Sequence, residues 1–410
     1  MKRSGTANLP LHYGHVPEWL AERMKKMGRE ITLAIIESFG RDEFLRRISD
    51  PFWFQAFGAV MGMDWHSSGI TTSVMGALRK GLNPLSNDTG LYILGGRGKH
   101  SRKTPVEITD VAMQTGLHGD KLVRCSKLSA KIDNTCIQDG YQLYLHNFIL
   151  TSDGKWAVVQ QGMNDSNGMA RRYHWHSEEI RSFVDDPHSA IVGENCGEIL
   201  NLSDSRAHES RRGIVDFLSM HPDRQSAEIE AVLSSRELHM PPHHDVRPEN
   251  INTKRLGAVL AVAYEKNFRE FTDALLLEGV GPRTIQALAL VSEVIYGAPS
   301  RFSDPARFSF AHGGKDGHPA PVPLHVYDES ISILKQAVKS AKLGNSERLD
   351  AVRKLDWLVR DVEHNFSPEA DVEKLIAHER KIAKDLGGRT VFDDRRRFKG
   401  NAGDVQLKLF

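Results

Sequence analysis

The chain has 410 residues, of which 40% are hydrophobic, so it is long enough for two or three domains with cores of their own. Lysine and arginine together number 54 and aspartate and glutamate 53, which excludes a uniformly basic protein. Any nucleic-acid surface must therefore come from local clustering of charge. The three cysteines form no CxxC pair, which excludes a zinc ribbon by spacing and fits a reducing compartment.

No targeting or membrane segment is evident. The N-terminal stretch MKRSGTANLPLHYGHVPEWL has early basic residues but no apolar run behind them, unlike a signal peptide. No stretch approaches the roughly 18 uninterrupted apolar residues of a membrane-spanning helix. We therefore expect a soluble cytoplasmic protein.

The first part of the chain is predicted to be helical. Residues 17–49 place apolar side chains at spacings of three and four, typical of an amphipathic helix, and Asp50-Pro51 predicts a break after it. Residues 50–82 predict a second helical segment. Residues 90–105, GLYILGGRGKHSRKTP, predict a short strand followed by a glycine-rich basic loop.

The pattern then changes from helix to strand. In residues 140–162, two runs of β-branched and aromatic residues flank Asp153-Gly154, which predicts a β-hairpin. Residues 177–192 predict a return to helix. Beyond residue 252 almost every periodic segment predicts a helix.

These elements predict an α+β fold with two domains. A mixed N-terminal domain with the β-hairpin covers residues 1–238 and is the candidate catalytic domain. Residues 239–251 are polar and proline-rich, typical of a linker. An all-helical C-terminal domain covers residues 252–390, and a charged tail follows at 391–410.

The stretch LEGVGPRTIQ, within this helical domain, predicts a tight turn between two helices. Gly279 and Gly281 allow the turn, Pro282 suits the first helical position, and backbone amides at a helix start can bind an anion. The stretch resembles the helix-hairpin-helix motif, whose turn holds a DNA phosphate without reading sequence. The resemblance implies DNA contacts from Gly279, Val280, Gly281, Arg283 and Thr284. The alternative is an αα-hairpin that binds nothing.

The same stretch resembles the hairpin of the helix-hairpin-helix DNA glycosylases, but the residues of their chemistry differ. Arg283 stands where lyase-active members have a nucleophilic lysine, and arginine is no nucleophile at physiological pH. If VPLH, residues 322–325, corresponds to the family's aspartate signature, Pro323 replaces the aspartate. Asp316 and Asp328 are then the candidate substitutes, although the spacing demands neither. The resemblance therefore favours DNA binding over glycosylase chemistry.

Several long and idiosyncratic stretches carry a wider resemblance. They include DWHSSGITTSVMGALRKGLNP, QDGYQLYLHNFIL, WAVVQQGMN, GVGPRTIQALALVSEVIYG and FSFAHGGKDGHP. Through them the chain resembles, over nearly its whole length, the uncharacterised domain-of-unknown-function family 763 of bacteria and archaea. That family implies no established activity.

Polar side chains lie inside otherwise apolar segments of the N-terminal half. Carboxylates and imidazoles around a hairpin can bind Mg²⁺ or Mn²⁺, which activates water and neutralises a scissile phosphate. The candidate catalytic residues are Asp64, His66, Asp133, Asp139 and His146, and the candidate metal ligands are Asp64, His66 and Asp139. The strand WAVVQQG lacks the lysine of restriction-type nucleases. The alternative is that these groups hydrogen-bond one another in the core.

Two basic segments are candidate phosphate contacts. Arg97 and Lys99 lie in the glycine-rich loop, whose glycine spacing is too short for a P-loop. Arg171 and Arg172 lie in the basic-aromatic run ARRYHW, a composition suited to stacking on unpaired bases. A solvated charged loop is the alternative.

These features predict DNA binding in repair or processing, with a metal-dependent nuclease as the candidate enzyme activity. A DNA glycosylase and a non-catalytic DNA-binding scaffold are the first alternatives. A further alternative is an enzyme acting on small phosphorylated substrates, in which the helical hairpin is only structural.

Overall fold

The computed structural model describes most of the chain between residues 16 and 355. The described residues are 9–10, 16, 18–63, 68–234, 253–306, 324–344, 346–348 and 350–355. The predicted linker at 239–251 and the predicted tail at 391–410 lie outside them. The candidate catalytic residues Asp64 and His66 also lie outside them. No described helix is long and apolar enough to cross a membrane.

The described chain forms five helices before its first long strand. They are α1 Glu18–Phe39, α2 Arg41–Ile48, α3 Pro51–Met61, α4 Ser68–Leu82 and the one-turn α5 Ser86–Thr89. The single helix predicted for residues 17–49 is interrupted at Gly40, whose φ of 88° lies in the left-handed region that favours glycine. The predicted break at Asp50-Pro51 is confirmed, because the Asp50 side chain accepts a hydrogen bond from Trp53 N at 2.9 Å and caps α3.

The described strands form one antiparallel sheet. They are β1 Leu9–Pro10, β2 Leu91–Arg97, β3 Gln142–Thr151, β4 Trp156–Asn164, β5 Met169–His176 and β6 Ala190–Val192. Their order is β1-β5-β4-β3-β2, and β6 also pairs with β5. The predicted hairpin is confirmed as β3 and β4, and Gly154 in its turn adopts a φ of 91°.

The other described helices follow β2 and β6. They are α6 Thr104–Thr115, α7 Gly119–Lys131, α8 His208–Leu218, α9 Pro222–Ser234, α10 Thr253–Lys266, α11 Phe271–Leu276, α12 Pro282–Tyr296 and α13 Leu324–Ser340. One π-helical turn, Ile132–Cys136, continues α7. The helices predicted after residue 252 are confirmed for α10 to α13.

Helices cover both faces of the sheet. On one face, Phe148, Trp156 and Trp175 share a core with α6 to α12. On the other face, Ile149 and Val159 share a core with α1 to α4 and α13. The α+β class is therefore confirmed, and α10 to α12 contribute to the same core as the sheet. Because β3 and β4 are covered on both faces, their sequences read as nearly continuous apolar runs.

Two stretches differ from the sequence prediction. Residues 177–192, predicted as helix, form turns that lead into β6, and Asp186 adopts a φ of 49° immediately before Pro187. A left-handed residue followed by proline cannot continue a helix. Residues 169–176 form β5, which the sequence does not predict because charged side chains interrupt the apolar pattern of a strand.

Candidate functional site

The predicted tight turn joins α11 to α12 and is held against the end of α7. Gly279 has a φ of 88°, a conformation that favours glycine, whereas Gly281 is extended (φ −138°, ψ −175°) and directly precedes α12. Val280 between them is 4% exposed. Its backbone carbonyl accepts a hydrogen bond from Lys131 Nζ at 2.5 Å. The position of the turn is therefore set by α7 as well as by its own glycines.

The outer side of the turn carries the start of α12. Gly281 and Thr284 are half-buried, and Arg283 is exposed. The first backbone amides of a helix have no intrahelical partner, so this end of α12 can accept an anion. The Arg283 guanidinium donates to Gln286 Oε1 at 3.0 Å, which holds it beside the first turn of α12.

A groove of about 770 Å³ lies between α7, α8, the start of α11 and residues 181–184, and we call it the basic groove. Cations outnumber carboxylates in its lining. The lining cations are Lys121, Arg124, Arg181, Arg211, Arg212 and Arg269, and the lining carboxylates are Asp216 and Glu270. An excess of positive charge in a concave surface attracts anionic ligands.

Half of these cations have acidic partners. The pairs are Arg124–Asp273, Arg211–Asp185 and Arg212–Asp216. The other three, Lys121, Arg181 and Arg269, are exposed, and none of them forms an ion pair within the part of the chain that the structure describes. The basic groove therefore keeps three charges that no described carboxylate pairs with.

Helix α7 connects the basic groove to the hairpin turn. Arg124 on α7 donates to Thr272 and Asp273 at the start of α11, and Lys131 at the end of α7 donates to Val280 in the turn. The helical stretch from residue 124 to residue 131 spans about 10 Å. The basic groove and the hairpin turn are therefore both held by contacts to α7.

Asp133 and His146, two of the candidate catalytic residues, belong to a buried hydrogen-bond chain. His146 Nδ1 lies 2.7 Å from Gln160 Oε1, and Gln160 Nε2 donates to Asp133 Oδ2. Because the Gln160 amide nitrogen faces Asp133, its oxygen accepts from His146 Nδ1–H, and His146 Nε2 accepts from Ser126 Oγ at 2.8 Å. All four side chains are buried, so they satisfy one another within the core.

Acidification is expected to destabilise the protein, because two buried histidines resist protonation. Burial lowers the pKa of His146, and burial together with the Arg172 cation lowers the pKa of His174. The pKa of histidine in an unfolded chain is about 6.5. Below that pH, protons bind the unfolded chain more readily than the folded one, so the free energy of unfolding falls. Burial raises the pKa of Asp139 to about 6, so protonation of this carboxylate at low pH stabilises the folded chain and offsets part of the loss caused by the two histidines. We expect urea unfolding at pH 5.5 and 7.5 to show a lower free energy of unfolding at the lower pH.

The matched control for this pH effect is an exposed histidine. His174→Gln should reduce the difference in unfolding free energy between the two pH values. His208→Gln should leave it unchanged, because the His208 side chain is 71% exposed. Equal unfolding free energies of the unmodified protein at both pH values would contradict the prediction.

Arg171 and Arg172, predicted to contact nucleic acid, are buried. Arg171 Nη1 lies 2.8 Å from Asp139 Oδ2, and its Nη2 lies 2.6 Å from Asp304 Oδ2. Arg172 has 0% exposure, and its guanidinium carbon lies 4.5 Å from the centre of the Phe54 ring. Because helices cover both faces of β5, neither guanidinium faces solvent. Both are buried among the described residues, and their contact with nucleic acid stays a prediction.

The candidate metal ligands are only partly described, since Asp64 and His66 lie outside the described residues. Asp139 Oδ1 accepts a backbone amide hydrogen at 2.9 Å, and its Oδ2 accepts from Arg171 and Tyr173. Both oxygens are thus engaged by protein donors, so Asp139 does not fit the role of a metal ligand in this arrangement. Within the described ranges, no three His, Cys, Asp or Glu side chains group as a metal site.

The glycine-rich loop follows β2 at the position predicted. Gly98–Lys103 forms a 3-10 turn, and Arg97 and Lys99 are both exposed. The Arg97 guanidinium carbon lies 5.8 Å from the centre of the Tyr144 ring. Arg97 and His100 line a second cavity beside this turn. Both predicted cations are therefore accessible to an anionic ligand.

The basic groove is the feature that sequence reasoning misses. Its cations come from α7, residues 181–184, α8 and the start of α11. The local signals are Lys121 and Arg124 at i and i+3 and the neighbouring Arg211-Arg212. Each of these patterns is ordinary for a solvated helix face, so only the folded chain shows that they converge.

Comparison with known proteins places the chain in a family. A family model described as "Protein of unknown function (DUF763)" matches residues 5–322, a range that includes the sheet and the hairpin turn. No curated protein and no solved structure matches the chain.

Proposed function

The chain belongs to the DUF763 family of proteins of unknown function, and we propose that it is a DNA-binding protein of DNA repair or processing. In this proposal the turn between α11 and α12 acts as a helix-hairpin-helix and holds one backbone phosphate. The basic groove holds neighbouring phosphates of the same DNA. Contacts of this kind position the nucleic acid and do not read its bases.

The observation that carries the proposal is the unpaired charge of the basic groove. Lys121, Arg181 and Arg269 are exposed in it and form no ion pair with described residues. The net charge of the whole chain is only +1, so this excess is local and not a property of the entire surface. Local clustering of cations is the electrostatic footprint of a nucleic-acid surface.

The hairpin turn supports the same ligand. A Cβ atom built at Gly281 would meet no atom of another described residue within 4 Å beyond its chain neighbours, so the described backbone there is open to close approach. The amides of the first turn of α12 point away from the helix body and favour an anion. Arg283 is exposed beside them and adds a positive charge. A phosphate oxygen fits this combination.

Gly281→Asp tests the hairpin contact with the fold preserved. Aspartate is a favoured N-cap residue, and its carboxylate would occupy the amides that a phosphate otherwise takes. We expect DNA affinity at 100 mM KCl to fall by at least about 10-fold, with no loss of thermal stability. The slope of log K against log salt should flatten by about 1. Fluorescence anisotropy with labelled duplex and single-stranded DNA measures affinity and slope.

The control for this test is Gly281→Ala, which adds a methyl group without a charge or a hydrogen-bond acceptor. This variant should keep most of the affinity, because the amides of α12 stay available. If Gly281→Asp binds DNA with unchanged affinity and salt slope, the hairpin does not hold a phosphate.

Incubating the protein with DNA and analysing the products distinguishes an enzyme from a protein that only binds DNA. Cleavage that requires Mg²⁺ or Mn²⁺ and stops with a chelator would assign a metal-dependent nuclease. Alkali-labile sites on damaged DNA would assign a glycosylase, for which Asp316 and Pro323 lie outside the described residues. Binding without either product would assign a scaffold role.

A further inference from the structure

A cavity of about 630 Å³ lies between α4, the end of β2 and the 3-10 turn Gly98–Lys103, and we call it the glycine-loop cavity. Its volume falls in the range of small-molecule sites, roughly 300–1,000 Å³. Among the described residues, none lines both this cavity and the basic groove. It is therefore a separate site, and the DNA-binding proposal does not use it.

Positive charge dominates the polar lining of the glycine-loop cavity. Arg79, Lys80, Arg97 and His100 line it, and no carboxylate of the described residues does. Arg79 Nη2 lies 2.6 Å from Glu107 Oε1, outside the lining. Lys80 and Arg97 are exposed and have no ion-pair partner in the described ranges. This lining favours a ligand with a negative charge.

One cation of the lining, Arg79, is tied to the end of β2 through Glu107. Glu107 accepts from Arg79 with one carboxylate oxygen and from the Gly95 backbone amide with the other, at 2.7 Å. Gly95 has a φ of 84°, and a Cβ there would lie 2.3 Å from the backbone oxygen of His146. Only glycine allows this close approach of β2 to β3. Arg79 and the backbone at Gly95 therefore lose little conformational freedom when a ligand binds.

The cavity also has apolar walls, which an inorganic anion does not need. Val16, Met75, Pro84 and Leu145 line it together with the hydroxyl-bearing Thr72 and Ser73. A nucleoside phosphate combines the three chemistries that this lining matches. The base can pack against the apolar wall, and the sugar hydroxyls can hydrogen-bond to the side-chain hydroxyls. The phosphate can form charge-assisted hydrogen bonds with the cations.

We propose that the glycine-loop cavity binds a nucleoside phosphate. Two ligands share this chemistry: a free mononucleotide, and the 5′-phosphorylated terminal nucleotide of a nucleic-acid strand. The second source rests on the proposed DNA binding, and the first does not. The experiment therefore has one arm for each source.

Gly76→Leu blocks the cavity without disturbing the fold. Gly76 lies on α4 and lines the cavity, and a Cβ there would meet no atom of the described residues around it within 4 Å. Leucine is a better helix former than glycine, so α4 should be at least as stable. The matched control is Gly257→Leu on α10, which is not among the lining residues of the cavity and where a Cβ likewise meets no described neighbour within 4 Å.

The first arm titrates the protein with adenosine 5′-monophosphate, thymidine 5′-monophosphate and inorganic phosphate by calorimetry. We expect saturable nucleotide binding, at least about 10-fold tighter than inorganic phosphate. Gly76→Leu and Arg97→Gln should each weaken it at least about 10-fold, and Gly257→Leu should not. Inorganic phosphate binding as tightly as both nucleotides would overturn the proposal.

The second arm compares 5′-phosphorylated and 5′-hydroxyl oligonucleotides of one sequence. A preference for the phosphorylated strand that Gly76→Leu abolishes would support the proposal even if free nucleotides do not bind. If neither free nucleotides nor the 5′-phosphate distinguish the unmodified protein from Gly76→Leu, the proposal is wrong. Gly281→Asp should leave nucleotide binding intact. Nucleotide binding by this variant therefore distinguishes failure of the DNA-binding proposal from failure of the nucleotide-site proposal.

Discussion

Replacing Lys121, Arg181 and Arg269 together by glutamate is expected to weaken DNA binding at least about 100-fold at 100 mM KCl. Each charge-assisted contact to a phosphate contributes about 1 kcal/mol or more to binding. The free energies of the three lost contacts add, so the corresponding fold-losses in affinity multiply. The slope of log K against log salt should flatten by about 3 for duplex DNA, because about 0.9 is lost per phosphate contact. Anisotropy titrations between 50 and 200 mM KCl measure both quantities.

The control carries the same change of net charge elsewhere on the molecule. Lys339, Lys342 and Arg353 are exposed on the helical layer that covers the other face of the sheet. Their joint replacement by glutamate should leave DNA affinity within a few-fold of the unmodified protein, because these residues lie far from α7 and α11 in the fold. Equal losses in the two triple variants would show that net charge, and not the basic groove, governs binding.

Arg171→Met is expected to lower the free energy of unfolding by about 3–5 kcal/mol, the cost of breaking a buried ion pair. Methionine keeps most of the side-chain volume but removes the charge that Asp139 and Asp304 share. Both carboxylates have 0% side-chain exposure, so each would lose its counter-charge out of reach of water. Urea unfolding followed by circular dichroism measures the loss.

Two further variants identify charge as the cause. Arg46→Met removes an exposed partner of Glu43 and should cost less than about 1 kcal/mol. Adding Asp139→Asn and Asp304→Asn to Arg171→Met should restore part of the stability, because no unpaired charge then remains buried. If the triple variant is less stable than Arg171→Met alone, packing and not charge holds this region together.

Local turn chemistry made several elements predictable. Asp50-Pro51 caps and starts α3, and Asp153-Gly154 turns the hairpin of β3 and β4, because these residue pairs favour such conformations in any context. The glycines of LEGVGPRTIQ predict the next turn, in which Gly279 adopts a φ of 88° and Gly281 is extended. Such features depend only on adjacent residues, so they can be predicted from a short stretch of sequence.

Strand β5 was not predictable in the same way. Arg171, Arg172 and His174 read as a polar surface run, yet all three are 0% exposed. The buried Arg171 guanidinium pairs with Asp139 and Asp304. The buried Arg172 guanidinium packs against the Phe54 ring. These partners lie far away in sequence, so local pattern predicts the wrong environment for β5.

Side-chain periodicity and backbone preference over a few residues are sufficient to predict the α+β class, the β-hairpin, most helices and the turn at Gly279. Folding, in contrast, sets which charged side chains are exposed to water. It buried Arg171 and Arg172 and joined Asp133 to His146 through Gln160, and it gathered the cations of the basic groove from four separate segments. The physical reason is that electrostatic environment depends on distances through space, and folding sets these distances between residues that are remote in the chain.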